Sequence, residues 1–263
     1  MMSDYISYLD IPKHWRLKKG DVVWLSSFMT RVVVESKKNG ECFDFNLFLD
    51  SILDVLGEEG TLLIPTFNWD FCHGVTFNYH RTKSQAGILG DKALEHPKFK
   101  RTQHALYSFA VAGKDQSMLC SLTNQSSFGA DSPFAYLEKC HAKQVMIDVP
   151  ENHLMGFTYV HFVEEKYWQN IPYRYLKDFR GNYIDDHFQE SYRTYTMLVR
   201  DLDMDVKVDT DPLAEALTRE GILTSYKINK EYYTVVDLYN STKIVSEDIL
   251  TNKSRLFTYY KGQ

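Results

Sequence analysis

Near the start of the chain, apolar runs alternate with a segment in which apolar residues recur at helical spacing. The stretch "DVVWLSS" (21–27) is β-branched and apolar, which is typical of a buried strand that runs into a loop. Residues 44–60 place apolar residues at helical spacing between an initial Asp and Gly57. The stretch "TLLIPTFNW" (61–69) is a second buried run, closed by Pro65. Strand, helix and strand in this order predict a βαβ unit and a largely parallel sheet.

Further along, the pattern predicts more buried strands, more helices and an antiparallel region. These are strands at 108–113 and 144–149, helices at 132–140, 154–168 and 211–221, and antiparallel strands within 170–200. We therefore predict an α/β fold with a central, mostly parallel mixed sheet flanked by helices and a smaller antiparallel element toward the C-terminus. Residues 1–263 form one domain or two intimately packed lobes.

A long polar and aromatic connection, residues 70–104, separates the βαβ unit from the next strand. A short helical pattern interrupts it. Connections of this length in a compact domain are usually functional.

Composition narrows the class of protein. The chain has 263 residues, of which 44% are hydrophobic and 25% charged, a profile typical of a soluble globular protein. A net charge of -5 argues against non-specific binding of nucleic acid. The N-terminal residues lack a signal-peptide pattern, no stretch approaches a membrane span, and the four cysteines lack metal-ligand spacing. These features predict a cytoplasmic protein with reduced thiols.

The segment "TYVHFVEEKYW" (158–168) holds the most suggestive chemistry. In a helix, His161 and Glu164 share a face, and Glu165 lies close by. The segment lacks the second motif of a di-metal bundle and the H-E-x-x-H spacing of zinc proteases, so a metal site is unsupported. An imidazole–carboxylate pair suits general-base catalysis, and a satisfied structural histidine is the alternative.

Two other groups of polar residues are candidates for ligand binding. The stretch "LSS" (25–27) lies at the C-terminal end of a predicted strand, where α/β proteins bind ligands, although an ordinary helix-capping turn explains it equally. In "RTQHALYSFAVAG" (101–113), Thr102 and Ser108 are placed to hydrogen-bond a cofactor and Arg101 to pair with a phosphate. A polar loop leading into a strand is the simpler interpretation.

Taken together, these stretches resemble the aminoglycoside 3-N-acetyltransferase (antibiotic N-acetyltransferase) superfamily. The matching stretches are "GDVVWLSS", "LGEEGTLLIPTF", "SQAGILGD", "RTQHALYSFAVAG", "FGADSPFAYL" and "TYVHFVEE", in family order. The resemblance implies an α/β fold distinct from the GNAT fold and an acyl-CoA co-substrate. It also implies a histidine base assisted by carboxylates, with no metal.

The resemblance also implies roles for individual residues. His161 matches the catalytic histidine of the T-x-x-H-x-x-E motif, with Thr158 and Glu164 as its companions. The positions that match the lining of the CoA or acyl site are Ser26, Ser27, Ser108 and, as a lesser candidate, Thr102.

Departures from the family pattern bear on the acceptor. Antibiotic-modifying members typically have His at the position where this chain has Leu25, and Pro where it has Ala105. In this chain, the loop 68–83 is aromatic and not rich in carboxylates. The differences resemble the branch that acylates nucleotide-linked amino sugars, such as a dTDP-linked 3-amino-3,6-dideoxyhexose for surface polysaccharide. In that branch the donor is acetyl-CoA or 3-hydroxybutanoyl-CoA. The alternatives are a true aminoglycoside acetyltransferase and a non-catalytic CoA- or sugar-binding module.

In this interpretation the acceptor meets an aromatic loop. The residues expected to contact sugar or base are Trp69, Phe71, Tyr79 and His80, with packing of the loop as the alternative. Glu164 is the expected orienting partner of His161, with Glu165 in reserve. Otherwise Glu165 faces the amino sugar and attracts its ammonium group, or is a solvated surface glutamate. A homodimer is left open.

Overall fold

The computed structural model describes residues 5–150, 153–154 and 156–260, and its helices cover both faces of a mixed sheet. The strands are β1 Val22–Ser27, β2 Thr61–Pro65, β3 Phe77–Asn78, β4 Lys100–Arg101, β5 Phe109–Gly113, β6 Lys143–Ile147, β7 Arg174–Ile184, β8 Glu190–Arg200, β9 Val206–Val208, β10 Leu223–Ile228, β11 Glu231–Asp237 and β12 Thr258–Tyr260. The helices are α1 Thr30–Lys38, α2 Phe45–Leu56, α3 Ile88–Glu95, α4 Gln116–Cys120, α5 Pro133–Lys139, α6 Tyr159–Lys166, α7 Asp211–Arg219 and α8 Leu238–Asn252. Short 3₁₀ helices occupy Ile11–His14, Asp70–His73 and Trp168–Asn170.

The main sheet has the strand order β10-β11-β6-β1-β2-β5-β4 within the described residues. Strand β1 lies at its centre and pairs in parallel with β2 and β6. Strands β5 and β11 are antiparallel to their neighbours, so the other five strands share one direction. The prediction of an α/β fold with a mostly parallel mixed sheet is confirmed.

Strand β1 shows why the central strands read as continuous apolar runs. Val22 and Trp24 pack into the core on one face, while Val23 and Leu25 pack into a second core on the opposite face. A strand covered by helices on both sides has no solvent-facing positions, so its alternation disappears.

The helices divide between the two faces. Helices α5, α6 and α8 pack on the face of Trp24, and α2 and α3 pack on the face of Leu25. Helix α2 begins where Asp44 accepts hydrogen bonds from the backbone N–H groups of Asn46 and Leu47, and it ends at Gly57, whose φ is 67°. Both boundaries match the predicted signals.

The antiparallel region predicted within 170–200 is the β7–β8 hairpin, paired in register from Arg174 with Arg200 to Ile184 with Glu190. The two-residue strand β3 adds to its edge. Tyr183 and Tyr195 of this hairpin are buried in the core that also contains α6. Arg174 at the start of the hairpin hydrogen-bonds Glu164 of α6, which ties the hairpin to the helix that carries His161.

Some predicted boundaries differ from the structure. The helix predicted over 154–168 begins only at Tyr159 and ends at Lys166, because Gly156 adopts a left-handed φ of 78° and the chain approaches α6 as a loop. Helices α1 and α8 were not predicted. In the part of the chain that the structure describes, no helix is both long and apolar enough to cross a membrane.

Candidate active site

The candidate site lies at the edge of the sheet where the central parallel strands end. The ends of β1 and β6 are adjacent, with Ser27 paired to Ile147, and Pro65 at the end of β2 faces Phe109 of β5. Loops after the carboxyl ends of such strands are the usual ligand-binding location in α/β proteins. The loop before β5 reaches the same edge because β5 runs in the opposite direction.

His161 and Glu164 form a hydrogen-bonded pair on α6. His161 Nδ1 lies 2.6 Å from Glu164 Oε2, and the two residues are three positions apart on the helix. The imidazole is partly exposed, whereas Glu164 is completely buried. A carboxylate at Nδ1 fixes the proton there, so the Nε2 lone pair is free to accept a proton.

Two further donors hold the Glu164 carboxylate. Tyr173 Oη donates to Oε1 at 2.9 Å, and Arg174 Nε lies 3.0 Å from Oε1 and 2.9 Å from Oε2. Burial alone favours the neutral acid, but the hydrogen bonds and charges of His161, Arg174 and Tyr173 outweigh it and lower the pKa of Glu164. Glu164 is therefore a carboxylate near neutral pH.

The neighbouring Glu165 has a different environment. One of its carboxylate oxygens accepts a hydrogen bond from Ser126 Oγ, and the carboxylate also lies against the backbone N–H of Phe128. Burial raises the pKa of Glu165. Between the two glutamates, Glu164 is the one that contacts His161.

The ring of Phe128 packs against the imidazole of His161. Its centroid lies 6.0 Å from that of His161 at an interplanar angle of 66°. Phe128 is buried and follows the Ser126 that binds Glu165. The loop 124–128 is thereby tied to α6 at two points.

Two cavities meet beside His161. One, of about 300 Å³, is lined by His161, Thr158, His153 and Val208 among others. The other, of about 360 Å³, lies at the ends of β1 and β2, and Ser26, Ser27, Trp69 and Thr158 contribute to its wall. Gly156 and Thr158 line both, so the cavities adjoin at the N-terminus of α6.

The walls of these two cavities carry few charges. None of the described residues lining either cavity is Asp or Glu. Asp211 lies nearby, but His153 Nδ1 approaches its Oδ1 at 2.7 Å. The described walls of these two cavities therefore lack the carboxylates that would attract a polycation.

The four residues predicted to bind the cofactor separate into two groups. Ser26 and Ser27 line the larger of the two cavities, and Ser26 Oγ accepts a hydrogen bond of 3.0 Å from Gln144 Nε2. Thr102 and Ser108 are fully buried: Thr102 Oγ1 accepts from the Phe109 N–H, and Ser108 Oγ bonds to Thr66 and Arg101. Their assignment to cofactor binding stays a prediction, and their observed contacts are internal to the fold.

Arg101 likewise has a structural environment. Its buried guanidinium donates to the backbone carbonyls of Tyr79, Thr82 and Thr66. These bonds tie the 70–104 connection to the end of β2. They leave no guanidinium face for the phosphate that the sequence suggested.

The predicted aromatic contacts do not converge on one cavity. Trp69 lines the cavity at Ser26 and Ser27, whereas Phe71 is buried edge-on against Tyr195. Tyr79 Oη donates to the Arg101 carbonyl at 2.7 Å, and His80 stacks on Phe188 at 4.5 Å. Of these four predicted residues, Trp69 alone lines either of the two cavities. Substrate contacts for the other three stay predictions.

The structure also shows where the two residues that depart from the family pattern lie. Leu25 is buried in the core on the opposite face from α6, and Ala105 is buried in the core on the same face. Neither lines the cavities beside His161. They therefore carry no direct information about the acceptor.

Several site residues were missed from sequence. Tyr173 and Arg174 reach Glu164 from the start of β7, and Ser126 reaches Glu165 from a loop. His153 faces the cavity of His161 from the loop before α6. Only His153 carried a usable signal, as a second histidine shortly before the T-x-x-H motif.

Comparison with known proteins decides the family. The family model described as aminoglycoside 3-N-acetyltransferase matches residues 34–248. The chain belongs to this family. The protein is accordingly an acyl-CoA-dependent N-acyltransferase. A search of curated protein sequences gave no match.

Several solved structures share the fold. Aminoglycoside acetyltransferase AAC(3)-Xa superposes with a TM-score of 0.74 at 17% identity, covering 93% of each chain. AAC-IIIb, in a binary complex with CoASH, gives 0.73 at 16% identity, covering 95% of this chain and 98% of the other. YokD from Bacillus subtilis gives 0.74 at 17% identity over 96% of each chain. At these identities the likeness establishes the fold alone.

The grouping of potential metal-ligating side chains bears on whether the described residues can hold a metal ion. Within residues 5–150, 153–154 and 156–260, no three His, Cys, Asp or Glu side chains are grouped so as to hold a metal ion. The chemistry that the site offers is proton transfer by an oriented imidazole.

Proposed function

We propose that this N-acyltransferase transfers an acyl group, acetyl or 3-hydroxybutanoyl, from CoA to the amino group of a nucleotide-linked amino sugar. A dTDP-linked 3-amino-3,6-dideoxyhexose for surface polysaccharide is the acceptor we favour. The observation that carries the reaction type is the His161–Glu164 pair at the junction of two cavities. The observation that favours this acceptor is the absence of carboxylates from the described walls of both cavities.

In the proposed mechanism, the acyl thioester lies in the cavity of Ser26 and Ser27 with its carbonyl at Thr158. The amine enters the cavity of His161. The sugar ammonium first loses one proton to solvent, which frees the nitrogen lone pair, and His161 Nε2 accepts a second proton from that nitrogen as the N–C bond forms. The charge on the imidazolium is offset by Glu164, which stays ionised through its contacts with Arg174 and Tyr173.

Collapse of the tetrahedral intermediate completes the transfer. The C–S bond breaks, the CoA thiolate departs, and the imidazolium returns its proton to the leaving sulfur. Thr158 is the proposed donor to the carbonyl oxygen, because its hydroxyl makes one long internal hydrogen bond, 3.3 Å to the Gly156 carbonyl, and lines both cavities. The net products are amide and free CoA.

Aminoglycoside acetylation is the second candidate, favoured by the family to which the chain belongs. Aminoglycosides carry several ammonium groups, whose binding requires opposing carboxylates. A non-catalytic binding module is disfavoured, because it has no need for a buried, ionised Glu164 oriented on a partly exposed histidine.

The experiment is a CoA-release assay with purified protein, acetyl-CoA or 3-hydroxybutanoyl-CoA, and a panel of acceptors. The panel pairs dTDP-amino sugars with their free amino sugars and with kanamycin- and gentamicin-type compounds. We expect amine-dependent CoA release with the nucleotide sugar and its loss in His161→Asn. Faster turnover of the aminoglycosides would overturn the assignment of the acceptor, and absence of CoA release with every acceptor would favour a binding module.

A further inference from the structure

A third cavity, of about 440 Å³, lies beside β8 and the loop that precedes β5. Gln103, His104, Asn124, Gln125, Arg193 and Tyr195 contribute to its wall. None of the described residues lining it is Asp, Glu or Lys, so Arg193 supplies its formal charge. The cavity is polar, and nothing in the mechanism above uses it.

His104 presents a buried donor to this cavity. Its Nδ1 accepts hydrogen bonds from the backbone N–H groups of Leu106 and Tyr107, both at 3.1 Å, so the ring proton resides on Nε2. Complete burial lowers the pKa of His104 to about 3, and the ring is neutral at working pH. The buried Nε2 lies against the backbone of Gln125, which is a poorly aligned acceptor for it. A ligand oxygen that takes the place of this backbone group would give the donor a better-aligned partner.

Arg193 presents a fixed cation. Its guanidinium lies over the ring of Tyr183, 3.7 Å from the centroid, and its Nε donates to Ser191 Oγ at 3.0 Å. Asp185 is 4.0 Å from the other end, too far for a strong ion pair. The side chain also hydrogen-bonds Tyr195 and is 30% exposed, so part of the guanidinium is accessible to a ligand. A planar guanidinium matches phosphate oxygens.

One loop joins this cavity to His161. Gln125 of its wall is three residues from Phe128, whose ring centroid lies 6.0 Å from that of His161. An extended chain covers about 3.5 Å per residue, so the Cα atoms of Gln125 and Phe128 are at most roughly 11 Å apart. An acceptor with its amine at His161 therefore has to extend past Phe128 to place an anionic group in the third cavity.

We propose that the Arg193–His104 cavity binds the diphosphate of the nucleotide-linked acceptor. This proposal rests on the proposed function for the identity of the acceptor. The nucleotide-linked acceptor and CoA both carry phosphate groups, so either molecule could supply the anion that this cavity binds. We assign it to the acceptor because acyl-CoA is assigned above to the cavity at Ser26 and Ser27.

The test compares Arg193→Gln, which removes the charge, with Arg193→Lys, which keeps the charge and removes the fork. Arg219→Gln, at an exposed position on α7, is the matched control. Calorimetry measures binding of dTDP and of inorganic pyrophosphate to the complete protein. Steady-state kinetics gives the KM for the dTDP-amino sugar and for acyl-CoA. Far-UV circular dichroism and thermal unfolding verify that each variant is folded.

For Arg193→Gln we expect the Kd for dTDP and the KM for the acceptor to rise about tenfold or more, with kcat and the KM for acyl-CoA nearly unchanged. Arg193→Lys is expected to retain most of the affinity, and the control all of it. Unchanged dTDP affinity in Arg193→Gln, or no dTDP binding to the unmodified protein, would overturn the proposal. A rise in the KM for acyl-CoA alone would assign the cavity to CoA and overturn the proposal that it binds the acceptor. Arg193-dependent dTDP binding without acylation of the nucleotide sugar would support the anion site and reject the proposed function.

Discussion

Replacing Glu164 with Gln tests how the candidate base is oriented. In the native structure, Oε1 accepts from Tyr173, Oε2 accepts from His161 Nδ1, and Arg174 Nε lies between the two oxygens. Gln offers one oxygen and one NH₂ group, which is itself a donor. With the oxygen toward Tyr173 and Arg174, the NH₂ group faces His161. Nδ1 must then accept, so the proton moves to Nε2 and the lone pair needed by the amine is lost.

The magnitude follows from the cost of restoring the productive tautomer. Turning the Gln oxygen toward His161 places the NH₂ group against Tyr173 and Arg174, whose buried hydrogen bonds to a charged partner are worth about 1.5–3 kcal/mol each. One such cost lowers the population of the competent tautomer about 10- to 150-fold. We expect kcat to fall by that factor. Stability should also fall, by about 3–5 kcal/mol, because Arg174 loses its buried counter-charge.

The assay is steady-state acyl transfer to the dTDP-amino sugar, combined with urea unfolding of the same preparation. Glu165→Gln is the control, because it changes a neighbouring buried carboxyl that bonds to Ser126 and does not contact His161. Its pKa is raised by burial, so a neutral side chain is better tolerated there. Normal kcat in Glu164→Gln would refute the orienting role of Glu164. A higher KM for the acceptor in Glu165→Gln, with kcat nearly unchanged, is the separate result expected if that carboxyl attracts the ammonium group.

Two further predictions concern histidines. His161→Asn should lower kcat about 100- to 10,000-fold while leaving CoA affinity in calorimetry nearly intact; near-normal turnover across pH 6–9 would identify His161 as structural. Burial lowers the pKa of His104 in the native state to about 3, against an ordinary value of 6.5. Between these two pH values the unfolded state binds one more proton than the native state. The free energy of unfolding therefore falls by about 1.4 kcal/mol for each pH unit of acidification. In His104→Asn, which keeps an acceptor for the backbone N–H groups, unfolding by urea should show a shallower loss of stability over that range. An unchanged slope would contradict the burial of a neutral His104.

The fold was predictable where burial leaves a clear pattern. Strands β1 and β2 are apolar throughout because both of their faces are covered, and α2 has an Asp cap and a terminal Gly. Helix α1 was missed because its sequence contains three consecutive valines, which favour strands in the absence of tertiary contacts. Its position is set by packing of Val32 into the core and not by local preference.

The candidate site was predictable only where its contacts are local. His161 and Glu164 are three residues apart on one helix, so their contact follows from helical geometry. Arg174 reaches the same carboxylate from β7, and no local spacing signals that contact. Ser108 illustrates the opposite failure: its hydroxyl looked available, but it is enclosed by Thr66 and Arg101, which come from two other strand ends.

A competition experiment tests the proposed acceptor most directly. A dTDP-3-amino-3,6-dideoxyhexose and a gentamicin-type aminoglycoside are supplied together at equal concentration with limiting acyl-CoA, and mass spectrometry quantifies both amides. The product ratio equals the ratio of kcat/KM values. We predict that the nucleotide sugar amide dominates by at least about tenfold, and that both amides disappear in His161→Asn. Predominant acylation of the aminoglycoside would contradict the proposed acceptor.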